Sequence, residues 1–236
     1  MSLEVKIHEA QTKILRELLF HPSAGFTTLQ KPTGLSSDHF NFHIARLVEL
    51  GLVEKVSRGT YQLTSRGKEY ANRLDTDNNT IERQPKAAVV FGLTRQRNGR
   101  TEYLFQQRRK KPYYGFWGLP SGKIRWGETI IETAIRESLE ETRLQADFTV
   151  KSVYHEHVVE KESGTVLEDK IFFIVLGENV RGELITDFEG GHNEWRTLED
   201  VMKEDKKYAT TGKEAELLQA EDWLFEQTIS YSNQEF

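Results

Sequence analysis

The chain contains no cysteine, which excludes disulfides, thiolate metal sites and cysteine nucleophiles and suits a cytoplasmic protein. It also lacks any apolar run of about 18 residues, the length a membrane-crossing helix requires. Met1 to Lys13 is polar and amphipathic, without the apolar core of a signal peptide. An excess of positive charge is missing too. The 32 Lys and Arg residues stand against 37 Asp and Glu, and a formal net charge of −5 argues against a surface that coats nucleic acid. No internal repeat or long low-complexity tract is visible. What remains is a chain of 236 residues, 37% hydrophobic and 29% charged, long enough for one large domain or two modest ones.

Residues 1–74 read as three helices, a hairpin and a further helix. Ile7, Ile14, Leu15, Leu18 and Leu19 recur at helical spacing up to His21-Pro22. A short helix fits around Thr27–Gln30. A third starts at Ser36 or Ser37, with Phe40, Ile44, Leu47 and Val48 as its inner face and Gly51 as its stop. Strands Leu52–Ser57 and Thr60–Thr64 turn at Arg58-Gly59, and Ser65–Leu74 returns to helix. This order, and above all the phrase from Phe42 to Glu54, resembles the winged helix-turn-helix of bacterial transcription regulators. The resemblance implies that His39, Asn41, His43 and Arg46 occupy the exposed face of a recognition helix, with Arg58 at the wing tip, where they can meet DNA. Residues 1–84 carry 11 basic and 10 acidic side chains, a weak electrostatic footprint, so a dimerising or docking module is the competing use.

Residues 75–84 form a polar linker without apolar periodicity, and a second domain follows over 85–236. Ala87–Leu93 and Glu102–Gln107 are apolar-rich strands about a turn at Asn98-Gly99. One strong helix spans Thr129–Thr142. Two long strands follow, Phe148–Val159 and Val166–Leu176, with a turn at Glu162-Ser163-Gly164. A short strand near Glu194-Trp195, a helical turn near Leu198–Met202 and a C-terminal helix from about Lys213 complete an α/β or α+β layer architecture with a mixed sheet.

The chemistry concentrates on the strong helix. At about 100° per residue, Glu137, Glu140 and Glu141 share roughly a third of its circumference, opposite Ile131, Ile135 and Leu139. Thr129 and Glu132 make a capping box that fixes its start. Carboxylates three and four residues apart repel each other, and near a helix C-terminus the dipole disfavours them as well. Each penalty is a few tenths of a kcal/mol, and a bound divalent cation reverses the combined sign.

The same stretch resembles the Nudix box. Gly122, Glu128, Arg136, Glu137, Glu140, Glu141 and Leu144 stand at the family's positions, while Ser138 fills an apolar slot and Arg143 replaces the last glycine. The resemblance implies a Nudix α/β/α sandwich with a mixed β-sheet behind the winged-helix (α+β) domain. It also implies a Mg²⁺-dependent hydrolase, with Mn²⁺ as a substitute, acting on a nucleoside diphosphate linked to another moiety. ADP-ribose, a nucleotide sugar and a nucleoside triphosphate all fit that description. Glu137, Glu140, Glu141 and the Gly122 carbonyl are then the metal ligands, and Arg136 orients a glutamate. Glu140 is the first choice of general base, with Glu189 and Glu194 behind it. Arg108 and Arg109, in the basic run Arg108–Lys111, are expected at phosphates, and Tyr114 and Phe116 against a nucleobase. For Trp117 core packing is the competing reading. A homodimer is expected by analogy, and the alternative function is a nucleotide-sensing transcription regulator.

Overall fold

The computed structural model describes residues 7–75, 80–81, 83–219 and 223–232, which fall into two compact units, Met1–Arg83 and Gln84–Phe236. Residues 1–6, 76–79 and 82, parts of the amphipathic start and of the polar linker read from the sequence, lie outside the described residues.

In the first unit, α1 (Glu9–Phe20) begins on a capping box made by His8 and Gln11. It packs with α2 (Phe26–Gln30) and α3 (Ser37–Glu49) through Ile14, Leu15, Leu18, Leu29, Phe40, Ile44 and Leu47. Ser36 caps α3, and Gly51 takes φ 69° just beyond it, a conformation that an L-residue adopts only at a cost. Strands β1 (Ala24–Gly25), β2 (Val53–Ser57) and β3 (Thr60–Leu63) form a small antiparallel sheet in the order β1-β3-β2, followed by α4 (Ser65–Ala71). The two-residue β1 was not expected. It is too short for periodicity and exists because Ala24 and Gly25 pair with Tyr61 and Thr60. Val48, assigned to the inner face of α3, is exposed, because three apolar positions already fill that stripe. Helix α4 stops at Ala71, and Leu74 enters a two-residue pairing of β4 (Leu74–Asp75) with β5 (Thr80–Ile81).

The second unit is built on a mixed sheet. Its strands are β6 (Lys86–Arg97), β7 (Arg100–Arg108), β8 (Trp117–Gly118), β9 (Ser121–Lys123), β10 (Gln145–Glu160), β11 (Val166–Arg181), β12 (Asp187–Phe188), β13 (Gly191–Arg196) and β14 (Leu224–Tyr231). The order is β12-β13-β7-β6-β11-β10-β14, with β8 on β7 and β9 on β6. β6 runs parallel to β11 and β14 parallel to β10, while β10 and β11 form a long antiparallel hairpin. Asn98 and Gly99 both take positive φ between β6 and β7, as the type I′ hairpin expected of Asn-Gly requires.

Alternation along β6 sends Val89, Phe91 and Leu93 to one face, against α5 (Ile130–Thr142). It sends Ala88 and Val90 to the other, against α6 (Leu198–Met202), the C-terminal end of α7 (Thr211–Leu217) and the following Leu218. Helices therefore cover both faces, giving an α/β/α sandwich. Trp117 is buried in the second of these cores. The C-terminal helix is only the seven residues of α7, and the chain then returns to the sheet as β14.

Candidate functional site

Helix α5 starts at Thr129, whose hydroxyl accepts from the Glu132 N–H while the Glu132 carboxylate accepts from the Thr129 N–H. Its buried stripe is Thr133, Ala134, Ser138 and Thr142 rather than the expected Ile135 and Leu139, which are 42% and 40% exposed. Small side chains let the helix lie close to the sheet, and the larger ones turn outward. Arg143 does occupy the left-handed conformation of the missing glycine, at φ 60°. Two buried hydroxyls brace this exit. Ser138 donates to the Leu144 carbonyl at 2.8 Å, and Thr142 accepts from the Leu144 N–H at 3.1 Å while donating to the Ser138 carbonyl. Ser138 thus supplies a hydrogen bond at the end that lacks glycine, and the helix terminates in register.

The carboxylates converge on Arg136. Its Nε and Nη2 donate to Glu128 at 2.6 and 2.8 Å, and its Nη1 donates to Glu137 at 2.6 Å and Glu140 at 3.2 Å. Arg136 and, more weakly, the Arg125 N–H hold Glu128 down at about 2, while Glu128 and then Glu137 raise the pKa of Arg136. Glu137 lies directly over Gly122, where a Cβ would fall 2.0 Å from its carboxyl carbon. Glu140 is more open and also receives Arg125 at 3.2 Å. Glu141 is turned inward. Desolvation pushes its pKa up, countered by a hydrogen bond from Gln106 at 3.0 Å.

Arg125, Gln106 and Asn193 belong to this constellation although sequence reasoning gave them no role. Asn193, buried, donates to the Glu141 carbonyl at 2.7 Å and to the Ile185 carbonyl at 2.9 Å, tying the helix end to the loop between β11 and β12. Asn193 opens the stretch Asn193–Leu198, which in sequence also looks like a family phrase and is the available signal, whereas Gln106 and Arg125 offer none.

Gly122, Glu137 and Glu141 form one side of a cavity of about 650 Å³. Arg108, Lys110, Lys111, Lys123 and Arg125 add positive charge to its lining, and Tyr113, Phe172, Tyr208 and Tyr231 supply rings. Three acids that sequence reading missed also line it. Glu156 accepts from Tyr154, Glu168 from Tyr113 and Lys170, and Glu214 from Thr210. Desolvation raises Glu156, and lifts Glu214 to about 7.

Of the expected substrate contacts, Arg108 lines this cavity, with its Nε held by the Pro112 and Lys110 carbonyls. Arg109, Tyr114 and Phe116 are not among its walls. Arg109 pairs with Asp187 at 2.7 Å, Tyr114 is exposed, and Phe116 is buried among Tyr113, Tyr208 and Tyr231. Glu189 and Glu194 are exposed and do not line the cavity. In the first unit His39, Asn41, Arg46 and Arg58 are exposed, with Arg46 paired to Glu49. His43 is instead half-buried and stacked on His8 at 4.6 Å. Burial lowers its pKa.

A curated relative, the uncharacterized Nudix hydrolase YvcI of Bacillus subtilis (strain 168), is 26% identical over 94 residues, 39% of this chain and 58% of that protein. The alignment therefore spans little more than half of the relative's length. Among solved structures, the NUDIX domain of Shewanella oneidensis NrtR in complex with ADP ribose gives a TM-score of 0.51 at 18% identity, over 66% of this chain and 97% of that one. A Mutator MutT protein from Bacillus halodurans gives 0.49 at 21% identity, over 64% and 93%. At these identities such likenesses concern the fold alone. The family model for the NUDIX domain matches residues 83–218, more than half of the sequence, and the chain belongs to the Nudix family.

Proposed function

We propose that the chain is a Mg²⁺-dependent pyrophosphohydrolase, with Mn²⁺ as a substitute, that cleaves a nucleoside diphosphate linked to another moiety. The observation that carries this reading is that Arg136 holds Glu137 and Glu140 together, with Glu137 over Gly122, and that Gly122, Glu137 and Glu141 line a cavity bordered by cations. An all-oxygen donor set suits a hard cation that retains waters and shares phosphate oxygens, and the Gly122–Glu137 approach leaves no room for a side chain that would block it. Glu137, Glu140, Glu141 and the Gly122 carbonyl would hold the ion. When bound it supplies charge neutralisation on the pyrophosphate and acidifies a water.

The protein's own groups do the rest. Arg136, itself fixed by Glu128, sets the orientation of Glu137 and Glu140. Glu140 is the most open of the three glutamates and is the proton acceptor for the attacking water. Arg108, Lys110 and Lys111 bind phosphate oxygens, and Tyr113, Tyr208 and Phe172 enclose the attached moiety. The NrtR domain complexed with ADP ribose makes ADP-ribose the first substrate to try.

The test is product release from ADP-ribose, NAD, nucleotide sugars and normal and oxidised nucleoside triphosphates with Mg²⁺. Hydrolysis of one of them, abolished by chelator and by Glu140→Gln/Glu141→Gln, supports the proposal. Tight binding without turnover of any of them overturns it. The second reading then takes over, a sensor whose first unit is a DNA-binding winged helix. Exposed His39, Asn41 and Arg46 on α3, with Arg58 at the β2–β3 turn, favour that reading. It requires a DNA affinity that falls steeply with salt and weakens in Arg46→Ala.

A further inference from the structure

The hairpin of β10 and β11 and the parallel strand β14 place a second donor set on the sheet. Along β10 the alternation that turns Glu156 into the cavity turns His155 and His157 to the opposite face. Asp169 stands directly across from His157 on β11, and Glu226 directly across from His155 on β14. The Asp169 Oδ1 atom lies 2.9 Å from His155 Nε2 and 3.5 Å from His157 Nε2. All three donor atoms fall within 4.8 Å of one another.

We infer that His155, His157 and Asp169 form a binding site for a divalent transition metal of the Zn²⁺ class, distinct from the carboxylate cluster on α5.

Three arguments carry it. The first is geometric. A tetrahedral ion with bonds of about 2.0–2.1 Å to nitrogen and oxygen has ligand–ligand edges of roughly 3.3 Å, and the two distances to Asp169 Oδ1 bracket that value. The second is the partner of His155. A metal-binding imidazole characteristically donates its other ring N–H to a carboxylate, which fixes the tautomer and raises ligand basicity. His155 Nδ1 lies 3.0 Å from Glu226 Oε1, leaving Nε2 to face Asp169 and the would-be ion. The third is chemical. Two imidazoles and one carboxylate make a borderline donor set that favours Zn²⁺, Co²⁺, Ni²⁺ or Cu²⁺ over Mg²⁺. Three protein ligands leave the fourth position to water or an incoming group. The donors come from strands held in register, so ion binding would clamp β10 to β11, with Glu226 of β14 supporting His155.

Untagged full-length protein, saturated with Mg²⁺ to occupy the α5 carboxylates, is titrated with ZnCl₂ by calorimetry and with CoCl₂ by visible absorption. The expected result is one Zn²⁺ per chain, and an intense d–d spectrum of tetrahedral type with Co²⁺. His155→Ala and His157→Ala each lower the Zn²⁺ affinity at least 100-fold. Isosteric Asp169→Asn weakens it, and Glu226→Gln lowers it roughly 10- to 100-fold. Circular dichroism of the metal-free variants checks that they fold. Absence of stoichiometric Zn²⁺ binding under Mg²⁺ overturns the inference. So does binding that folded His157→Ala and Asp169→Asn retain, because the ion then sits elsewhere. Neither result bears on hydrolysis at Glu140 and Glu141.

Discussion

Gly122 has no room for a methyl group. Its missing Cβ is the space that the Glu137 carboxyl fills, so Gly122→Ala must push either the strand or the glutamate aside. A shift of about 1 Å at a reacting centre costs on the order of 100-fold in rate, and such a loss in kcat/KM with an unchanged Tm is the expected outcome. Near-parental activity would show that Glu137 works from another position. Glu214 invites a different experiment. Its carboxyl is pushed up to about 7 by burial, with one hydrogen bond from Thr210 at 2.8 Å. The unfolded chain releases this proton near 4.3, whereas the folded chain keeps it to about 7, so the folded state binds more protons in that window and stability falls as pH rises through it. Glu214→Gln removes this dependence. Its urea-derived stability should match the parent below pH 4 and exceed it above pH 7, by on the order of 3–4 kcal/mol. Parallel pH profiles for the two proteins would rule this out.

Among the elements, α5 best shows what a sequence makes legible. Its start was written in Thr129 and Glu132, and the cluster of Glu137, Glu140 and Glu141 in spacing alone. Its inner face was not, because hydrophobicity pointed to Ile135 and Leu139 whereas close approach to the sheet selects Ala134 and Ser138. Two substitutions separate these views. Ala134→Leu overpacks a site with no free surface and should cost about 1–3 kcal/mol, whereas Ile135→Lys on the outer face should stay within about 0.5 kcal/mol, both read from urea midpoints. The reverse ranking would restore the face expected from periodicity. Strands with strong alternation or an Asn-Gly turn were equally legible, as β6 and β7 show. β1 and β14 were not, since an edge strand draws its definition from a partner far away in the chain. The buried acids Glu156, Glu168 and Glu214 escaped notice for a related reason. Nothing local distinguishes an enclosed glutamate from a solvated one.

At the scale of the molecule, the two units have separate cores. One runs from Ile14 to Leu74, and the others lie between Ala88 and Tyr231. A fragment of residues 84–236 should therefore fold with a cooperative melt and keep the hydrolytic activity of the whole chain within a few-fold. Loss of activity in a folded fragment would make the first unit part of the catalytic machinery. The sheet also sets an order on synthesis. β10 is sixteen residues long, and among the described residues the outer edge of its Val153–Glu160 half is covered by Leu224–Tyr231, more than sixty residues later. Until that last strand leaves the ribosome, the nascent chain carries an open row of backbone donors and acceptors, the feature that recruits a neighbouring chain. Translation that stalls within α7 would release an aggregation-prone protein with Glu137, Glu140 and Glu141 already made.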